Sequence, residues 1–159
     1  MDASFHQVYK ISFLSYFADT YLLINNVIWV SSLMARVMIA DDSDVIRMFL
    51  KDLLKICNHE IVGEATNGDE AVEKFNETKP EVLLLDIAMP KKDGVAALEE
   101  ILSIHPRAKI IMITANDNIK TVMRCSELGA TAYIEKPFDL DKLQAAIAVA
   151  FEEPTPVPN

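Results

Sequence analysis

The chain has 159 residues, of which 51% are hydrophobic, and this size and composition predict one globular domain of ordinary core size. Its 24 acidic residues outnumber its 15 basic ones, and a formal charge of −9 disfavours direct binding to the phosphates of nucleic acid. Cys57 and Cys125 lie far apart without metal-ligand spacing, so buried, reduced thiols are expected rather than a disulfide framework or a zinc site.

Residues 1–33 differ in composition from the rest of the chain. They hold seven of the twelve aromatic residues but only three charged ones, Asp2, Lys10 and Asp19. The charge-free run from Thr20 to Ala35 is shorter than the roughly 18–20 apolar residues of a membrane span, and a signal peptide fits poorly. Roughly helical spacing of the apolar residues predicts an amphipathic helix that associates with a membrane surface or a partner.

An alternative for residues 1–33 is a misassigned start. The sequence from Met34 to Val37 resembles a common beginning for the domain that follows, so translation from Met34 would leave these residues out.

From Arg36 onward, short apolar runs alternate with segments of helical periodicity. The predicted strands are Val37–Ala40, Glu60–Ala65, Val82–Asp86, Lys109–Thr114 and Thr131–Glu135. The predicted helices are a first one with Val45, Phe49, Leu53 and Ile56 at helical spacing, then Asp69–Glu77, Val95–Ile104, Asp117–Leu128 and Leu140–Phe151. This alternation predicts a doubly wound parallel sheet of five strands with helices on both faces, a three-layer α/β/α fold with right-handed crossovers.

Helix punctuation supports these elements. Asn67, Asp93 and Asp139 stand where capping residues are expected, and Gly129 follows the fourth predicted helix. Residues 152–159 include Pro154, Pro156 and Pro158, which predicts a proline-rich, disordered tail.

Chemically reactive side chains follow several of the predicted strands. Asp41 and Asp42 come after the first strand, Asp86 ends the third, Thr114 ends the fourth, and Lys136 follows the fifth. Each one alone has an ordinary explanation, such as a solvated acid near a helix start, a capping threonine or a turn. Together they point to a ligand site, because ligands of open α/β sheets bind at the carboxyl ends of the strands.

Three carboxylates at one sheet edge repel one another unless they hold protons or share a cation, and Mg²⁺ suits such oxygen ligands beside a phosphate. A carboxylate can also attack phosphorus as a nucleophile. The cation, an ammonium group and a hydroxyl would then stabilise the oxygens of a phosphoryl group in transfer. Asp86, Lys136 and Thr114 have the side chains for these roles.

The chain from about Met34 to Phe151 resembles the response-regulator receiver family, of the stand-alone chemotaxis-regulator (CheY-like) type. The resemblance rests on the pair Asp41-Asp42, the run from Asp86 to Gly94, Thr114-Ala115, and Tyr133 with Lys136-Pro137. It implies a receiver domain over residues 34–151 with the flavodoxin-like strand order 2-1-3-4-5. One departure is Ile87, which stands where many relatives have a tryptophan.

The resemblance also implies roles for individual residues. Asp86 would accept a phosphoryl group from a histidine kinase, and Asp41, Asp42, Asp86 and the main-chain carbonyl of Ala88 would hold Mg²⁺. Lys136 would contact the phosphoryl oxygens, with a cis bond to Pro137. Thr114 and Tyr133 would rearrange as a two-state switch. Ala88 and Asn116 would influence the lifetime of the phosphorylated state.

The expected protein is a cytoplasmic, monomeric switch rather than an enzyme, one that catalyses only its own phosphotransfer and dephosphorylation. Its partners would be the kinase and a motor-switch or other protein target, with no nucleic acid, and a membrane only through residues 1–33. The expected contact face includes Ile119, Val122, Tyr133 and Phe138, although Ile119 and Val122 could simply pack the core.

Other functions remain as alternatives. One is an intermediate phosphate carrier in a multistep phosphorelay. A more remote one is a phosphatase of the haloacid type with an aspartate nucleophile, but that family needs a second aspartate at the position of Ala88. A flavodoxin is disfavoured because Asp41, Asp42 and Asp44 would repel a flavin phosphate.

Overall fold

Five strands alternate with five helices in the computed structural model, which describes residues 34–115 and 118–152. The strands are β1 (Arg36–Ala40), β2 (Glu60–Ala65), β3 (Val82–Asp86), β4 (Ile110–Thr114) and β5 (Ala132–Glu135). The helices are α1 (Asp44–Ile56), α2 (Gly68–Thr78), α3 (Gly94–Ile104), α4 (Ile119–Leu128) and α5 (Leu140–Phe151). The predictions for residues 1–33, for Asn116 and for nearly all of the proline-rich tail fall outside the described residues.

The sheet is parallel throughout and has the order β2-β1-β3-β4-β5, which confirms the predicted fold class and strand order. Strand order reverses at β1, whose neighbours are β2 and β3. A crevice at the carboxyl ends of β1 and β3 is therefore the expected ligand position.

Both faces of the sheet are apolar because helices cover both. Alternate residues of each central strand point to opposite faces. In β4, Ile111 and Ile113 pack in the cluster that includes α1 and α5, whereas Ile110 and Met112 pack in the cluster that includes α2, α3 and α4. The central strands β3 and β4 are fully buried, as their continuous apolar sequences predict.

The predicted caps are present. The side chains of Asn67, Asp93 and Asp139 accept hydrogen bonds from the backbone N–H groups of Glu70, Ala96 and Lys142, at 3.0, 2.8 and 3.0 Å. Each cap satisfies a backbone donor that has no partner inside its helix, and so fixes where the helix begins.

Helix α1 forms as predicted, but the four apolar residues whose spacing predicts it are not its buried face. The buried residues of α1 are Leu50, Leu53 and Leu54. Of the predicted stripe only Leu53 is buried, while Val45, Phe49 and Ile56 are exposed. The helix therefore has a second apolar face, most of which the described core leaves exposed.

Both cysteines are free and buried. Burial raises the pKa of the Cys125 thiol to about 11 and also raises the pKa of Cys57, so both thiols are protonated at neutral pH. Among the described residues, no helix has the length and hydropathy that crossing a membrane requires.

Candidate functional site

The polar residues that follow the strands meet at the carboxyl edge of the sheet. Asp41 comes directly after β1 and Asp86 is the last residue of β3, and their side chains are almost fully buried. Thr114, the last residue of β4, is buried as well, and Asp42 is exposed beside them. The strand ends are adjacent because β3 pairs with both β1 and β4.

Lys136 joins two of these carboxylates. Its Nζ donates to Oδ2 of Asp41 at 2.9 Å and to Oδ1 of Asp86 at 3.1 Å. The backbone N–H of Lys136 donates to the carbonyl oxygen of Thr114 at 2.7 Å, which fixes where the lysine leaves the sheet. The following peptide bond, to Pro137, is cis. The ammonium group of Lys136 is thus close enough to neutralise a negative charge on either buried carboxylate.

Asp41, Asp42 and Asp86 have the donor set that a hard divalent cation requires. One oxygen from each carboxylate lies within 4.8 Å of the others, and no other such metal-binding group occurs among residues 34–115 and 118–152. Carboxylate oxygens are the ligands that Mg²⁺ prefers, and a set of three leaves room for the waters that this ion keeps. Asp41 is held in place because its Oδ1 accepts the backbone N–H of Ser43 at 2.8 Å.

The site perturbs the acidity of Asp86. Burial raises the pKa of this carboxyl to about 6, the negative charge of Asp41 adds to the rise, and Lys136 opposes it. For Lys136, burial by itself would lower the pKa, but the hydrogen bond to Asp41 and the charge of Asp86 outweigh burial and raise it. Lys136 is therefore charged at neutral pH, and most Asp86 side chains are ionised.

The loop between β3 and α3 carries Ala88 and is held by two close backbone contacts. A Cβ on Gly94 would lie 2.0 Å from the carbonyl oxygen of Asp86, so only glycine allows α3 to begin this close to the strand end. At the start of α2, the N–H of Gly68 donates to the carbonyl of Lys92 at 2.8 Å, and a Cβ there would lie 2.5 Å from the same oxygen. These contacts fix the path of the loop on which the exposed Ala88 lies.

Thr114 lies on β4 and Tyr133 lies on β5. In the sheet, these two strands are on the side of β3 away from β1. Thr114 pairs with Glu135, two residues beyond Tyr133, in the β4–β5 ladder. Tyr133 is partly buried and packs against the cluster on the side of α2, α3 and α4.

Two residues that support the site could not be identified from the sequence alone. Arg47 of α1 donates from Nη1 to the carbonyl oxygen of Asp41 at 2.8 Å and pairs through Nε with Glu64 of β2 at 3.3 Å. Lys92 pairs with Asp69 of α2 at 2.9 Å and with Glu100 of α3. Both are ordinary charged residues in the sequence, and only the packing of distant elements brings their partners near.

The residues expected on the contact face divide between surface and core. Ile119 is exposed and Val122 is partly buried, both on α4. Phe138 is buried in the core cluster on the side of α1 and α5, and its ring centroid lies 5.7 Å from that of Phe49. Ile119 is therefore available to a partner, whereas Phe138 packs the core.

The profile of the response regulator receiver domain matches residues 37–148. The chemotaxis protein CheY of Thermotoga maritima is 43% identical over 112 residues, which are 70% of this chain and 93% of that protein. The transcriptional regulatory protein PdtaR of Mycobacterium tuberculosis is also 43% identical, over 72% of this chain but only 56% of its own length. Among solved structures, the CheX-CheY-BeF3-Mg complex from Borrelia burgdorferi matches with a TM-score of 0.72 and 32% identity, covering 74% of this chain and 90% of that chain.

These matches agree with the order of the strands and with the carboxylates and lysine at their ends. The chain belongs to the response regulator receiver domain family.

Proposed function

We propose that this protein is a response regulator that accepts a phosphoryl group on Asp86 from a histidine kinase and thereby changes its affinity for a protein target. Chemotaxis or motility is the signalling process we propose, on the basis of its similarity to CheY proteins. The observation that carries the proposal is the bridge from Lys136 to Asp41 and Asp86, beside a set of carboxylates suited to Mg²⁺.

The transfer step starts from the ionised carboxylate of Asp86. One of its oxygens attacks the phosphorus of a phosphohistidine, a P–O bond forms, and the P–N bond breaks with its electron pair left on the imidazole nitrogen. With a pKa of about 6, most Asp86 side chains are ionised at neutral pH and hold no proton to be removed first. The protein acts here as a switch and catalyses only its own phosphotransfer and dephosphorylation.

The negative charge on the oxygens of the transferred phosphoryl group is stabilised by positive groups and hydrogen-bond donors within the site. Lys136 supplies a positive charge next to Asp86, and Thr114 supplies a hydroxyl at the adjacent strand end. Asp41, Asp42, Asp86 and the carbonyl of Ala88 would hold Mg²⁺, which would supply further positive charge beside the oxygens of the phosphoryl group.

The same contacts provide the switch. Before phosphorylation, Lys136 bonds to both Asp41 and Asp86. A phosphoryl group on Asp86 gives Lys136 new acceptor oxygens, and Thr114 gains an acceptor nearby. Movement of Thr114 and then Tyr133 would change the surface at β5, in an equilibrium biased by bonds available only in the phosphorylated state.

Phosphorylation at Asp86 is tested with acetyl phosphate and Mg²⁺, by intact-mass measurement of the protein. Wild type should gain the mass of a phosphoryl group, and the Asp86→Asn variant should not. Asp93→Asn is a matched control, because this exposed residue lies in the same loop and asparagine preserves its capping role. Equal labelling of Asp86→Asn and wild type would contradict the assignment of Asp86, and labelling that persists in excess EDTA would contradict the need for a cation.

The output is tested through the exposed face of α4. Binding of a motor-switch protein should require beryllofluoride, a mimic of the phosphoryl group, and Ile119→Lys should weaken it by about tenfold if Ile119 anchors the contact. Ile104→Lys, at a similarly exposed isoleucine on α3, is the control. Transfer of the phosphoryl group to a second histidine protein, without binding to the switch protein, would instead indicate a phosphorelay carrier.

A further inference from the structure

Helix α1 exposes a stripe of apolar side chains along one side. Val45, Met48, Phe49 and Ile56 are between 41% and 69% exposed. Their spacing places them on one side of the helix, interrupted only by Asp52. Four of the eight exposed large hydrophobic side chains among the described residues lie in this stripe. Apolar side chains clustered in this way mark a contact surface more often than scattered ones do.

The preceding part of the chain enters the domain at the end of this stripe. The N–H of Ala35 donates to Nδ1 of His59 at 3.1 Å, and the N–H of His59 donates to the carbonyl of Leu54, in the last turn of α1, at 2.9 Å. Met34, which precedes Ala35, is itself 68% exposed. Residues 1–33 are therefore joined to the domain beside the turn that follows Ile56, the last residue of α1.

The composition of residues 1–33 complements the stripe. They contain seven aromatic residues and only three charged ones, and aromatic side chains gain the most from burial in an apolar contact. At 1.5 Å per residue, the stripe from Val45 to Ile56 is about 17 Å long. A segment of 33 residues spans this distance whether it is helical or extended.

We propose that residues 1–33 dock on the exposed face of α1 formed by Val45, Met48, Phe49 and Ile56. The covalent junction at Ala35 holds the segment next to this face, so the contact forms at a high effective concentration without a second molecule. Docking removes the aromatic side chains of the segment and the α1 stripe from water together.

Trp29 provides a direct probe, because it is the only tryptophan of the chain and lies within the segment. In the full chain, its fluorescence emission should be blue-shifted and protected from quenching by acrylamide. The substitutions Met48→Lys and Ile56→Lys should each shift the emission to the red and increase quenching. Burying an ammonium group in an apolar contact is costly, so the docked fraction relative to the free fraction should fall by about tenfold or more.

The matched control is Ile104→Lys, which changes the last residue of α3 as Ile56→Lys changes the last residue of α1. All three side chains are at least half exposed, so the fold should persist, and far-ultraviolet circular dichroism checks that it does. The control should leave the emission and quenching of Trp29 unchanged.

Four results would overturn the proposal. In the first, Trp29 is quenched in the wild type as freely as a tryptophan in a short peptide. In the second, Trp29 is protected equally in the wild type and both α1 variants. In the third, its protection depends on protein concentration, which would assign the α1 face to a second copy of the chain. In the fourth, the intact mass of the native protein shows that it begins at Met34.

Discussion

Replacing Asp86 with asparagine should make the folded protein more stable in the absence of divalent cations. In the folded state the pKa of Asp86 is about 6, raised from 3.8 by burial and by the charge of Asp41. The folded protein therefore holds the proton of Asp86 more tightly than the unfolded chain does. The resulting stabilisation is complete below about pH 4 and is lost as the pH rises through about 6.

The size of the effect follows from that difference in pKa. Each pKa unit corresponds to about 1.36 kcal/mol, so the ionised carboxylate destabilises the fold by about 3 kcal/mol above pH 7. Asparagine has nearly the same shape without the charge, and its oxygen can still accept a hydrogen bond from Lys136. Allowing for the weaker bond to a neutral acceptor, Asp86→Asn should raise the free energy of unfolding by about 1–3 kcal/mol.

The assay is urea denaturation followed by circular dichroism in EDTA, at pH values from about 4 to about 8. The extra stability of Asp86→Asn over wild type should be absent near pH 4 and should grow as the pH rises to about 8. Asp42→Asn is the matched control, since this carboxylate of the same cluster is exposed and its removal should change stability little. Added Mg²⁺ should narrow the gap by stabilising the wild type. An Asp86→Asn protein less stable than the wild type in EDTA near pH 8 would refute the reasoning.

Three further substitutions test other contacts. Lys136→Met should lower the free energy of unfolding by about 3–5 kcal/mol in EDTA, because it leaves two buried carboxylates without the ammonium group that pairs with them. Added Mg²⁺ should restore part of the lost stability. A variant as stable as wild type in urea denaturation would contradict the bridge. Gly94→Ala should lower the free energy of unfolding by about 1–3 kcal/mol and slow labelling by acetyl phosphate, because the added methyl group would displace the carbonyl of Asp86. Wild-type stability together with a wild-type labelling rate would argue against the close approach of Gly94 to that carbonyl. Burial lowers the pKa of His59, whose Nδ1 accepts the N–H of Ala35 only when unprotonated, so the contribution of His59 to stability should fall as the pH drops from about 7.5 to about 5.5, opposite in sign to the effect of Asp86. Wild type should therefore lose stability relative to His59→Asn over this range in the same urea titrations, and a constant difference between the two proteins would assign the pH dependence to other groups.

The order of elements was predictable because it rests on local patterns. Apolar runs such as Val82–Asp86 and caps such as Asn67 depend on neighbouring residues, and the structure places element ends within two residues of the predicted positions. The meeting of Asp41 and Asp86 was predictable too, because residues that end neighbouring parallel strands share one edge of the sheet.

The bridge made by Lys136 could be inferred only in outline. Its partners lie 95 and 50 residues away in sequence, and the distances depend on the register and twist of strands that pattern alone does not set. The same holds for Gly94, whose need for glycine arises from the carbonyl of Asp86, eight residues earlier in the chain.

By itself, the sequence of this protein determined which residues form strands and helices, and which reactive side chains stand at the strand ends. Tertiary structure decided which side of α1 is buried, and it decided the acidity of Asp86. Both sides of α1 carry apolar residues at helical spacing, so the sequence pattern cannot choose between them. Packing on the sheet buries Leu50 and Leu54 and leaves Val45 in water. Acidity depends on burial and on charges from distant strands, which become defined only when the sheet is assembled.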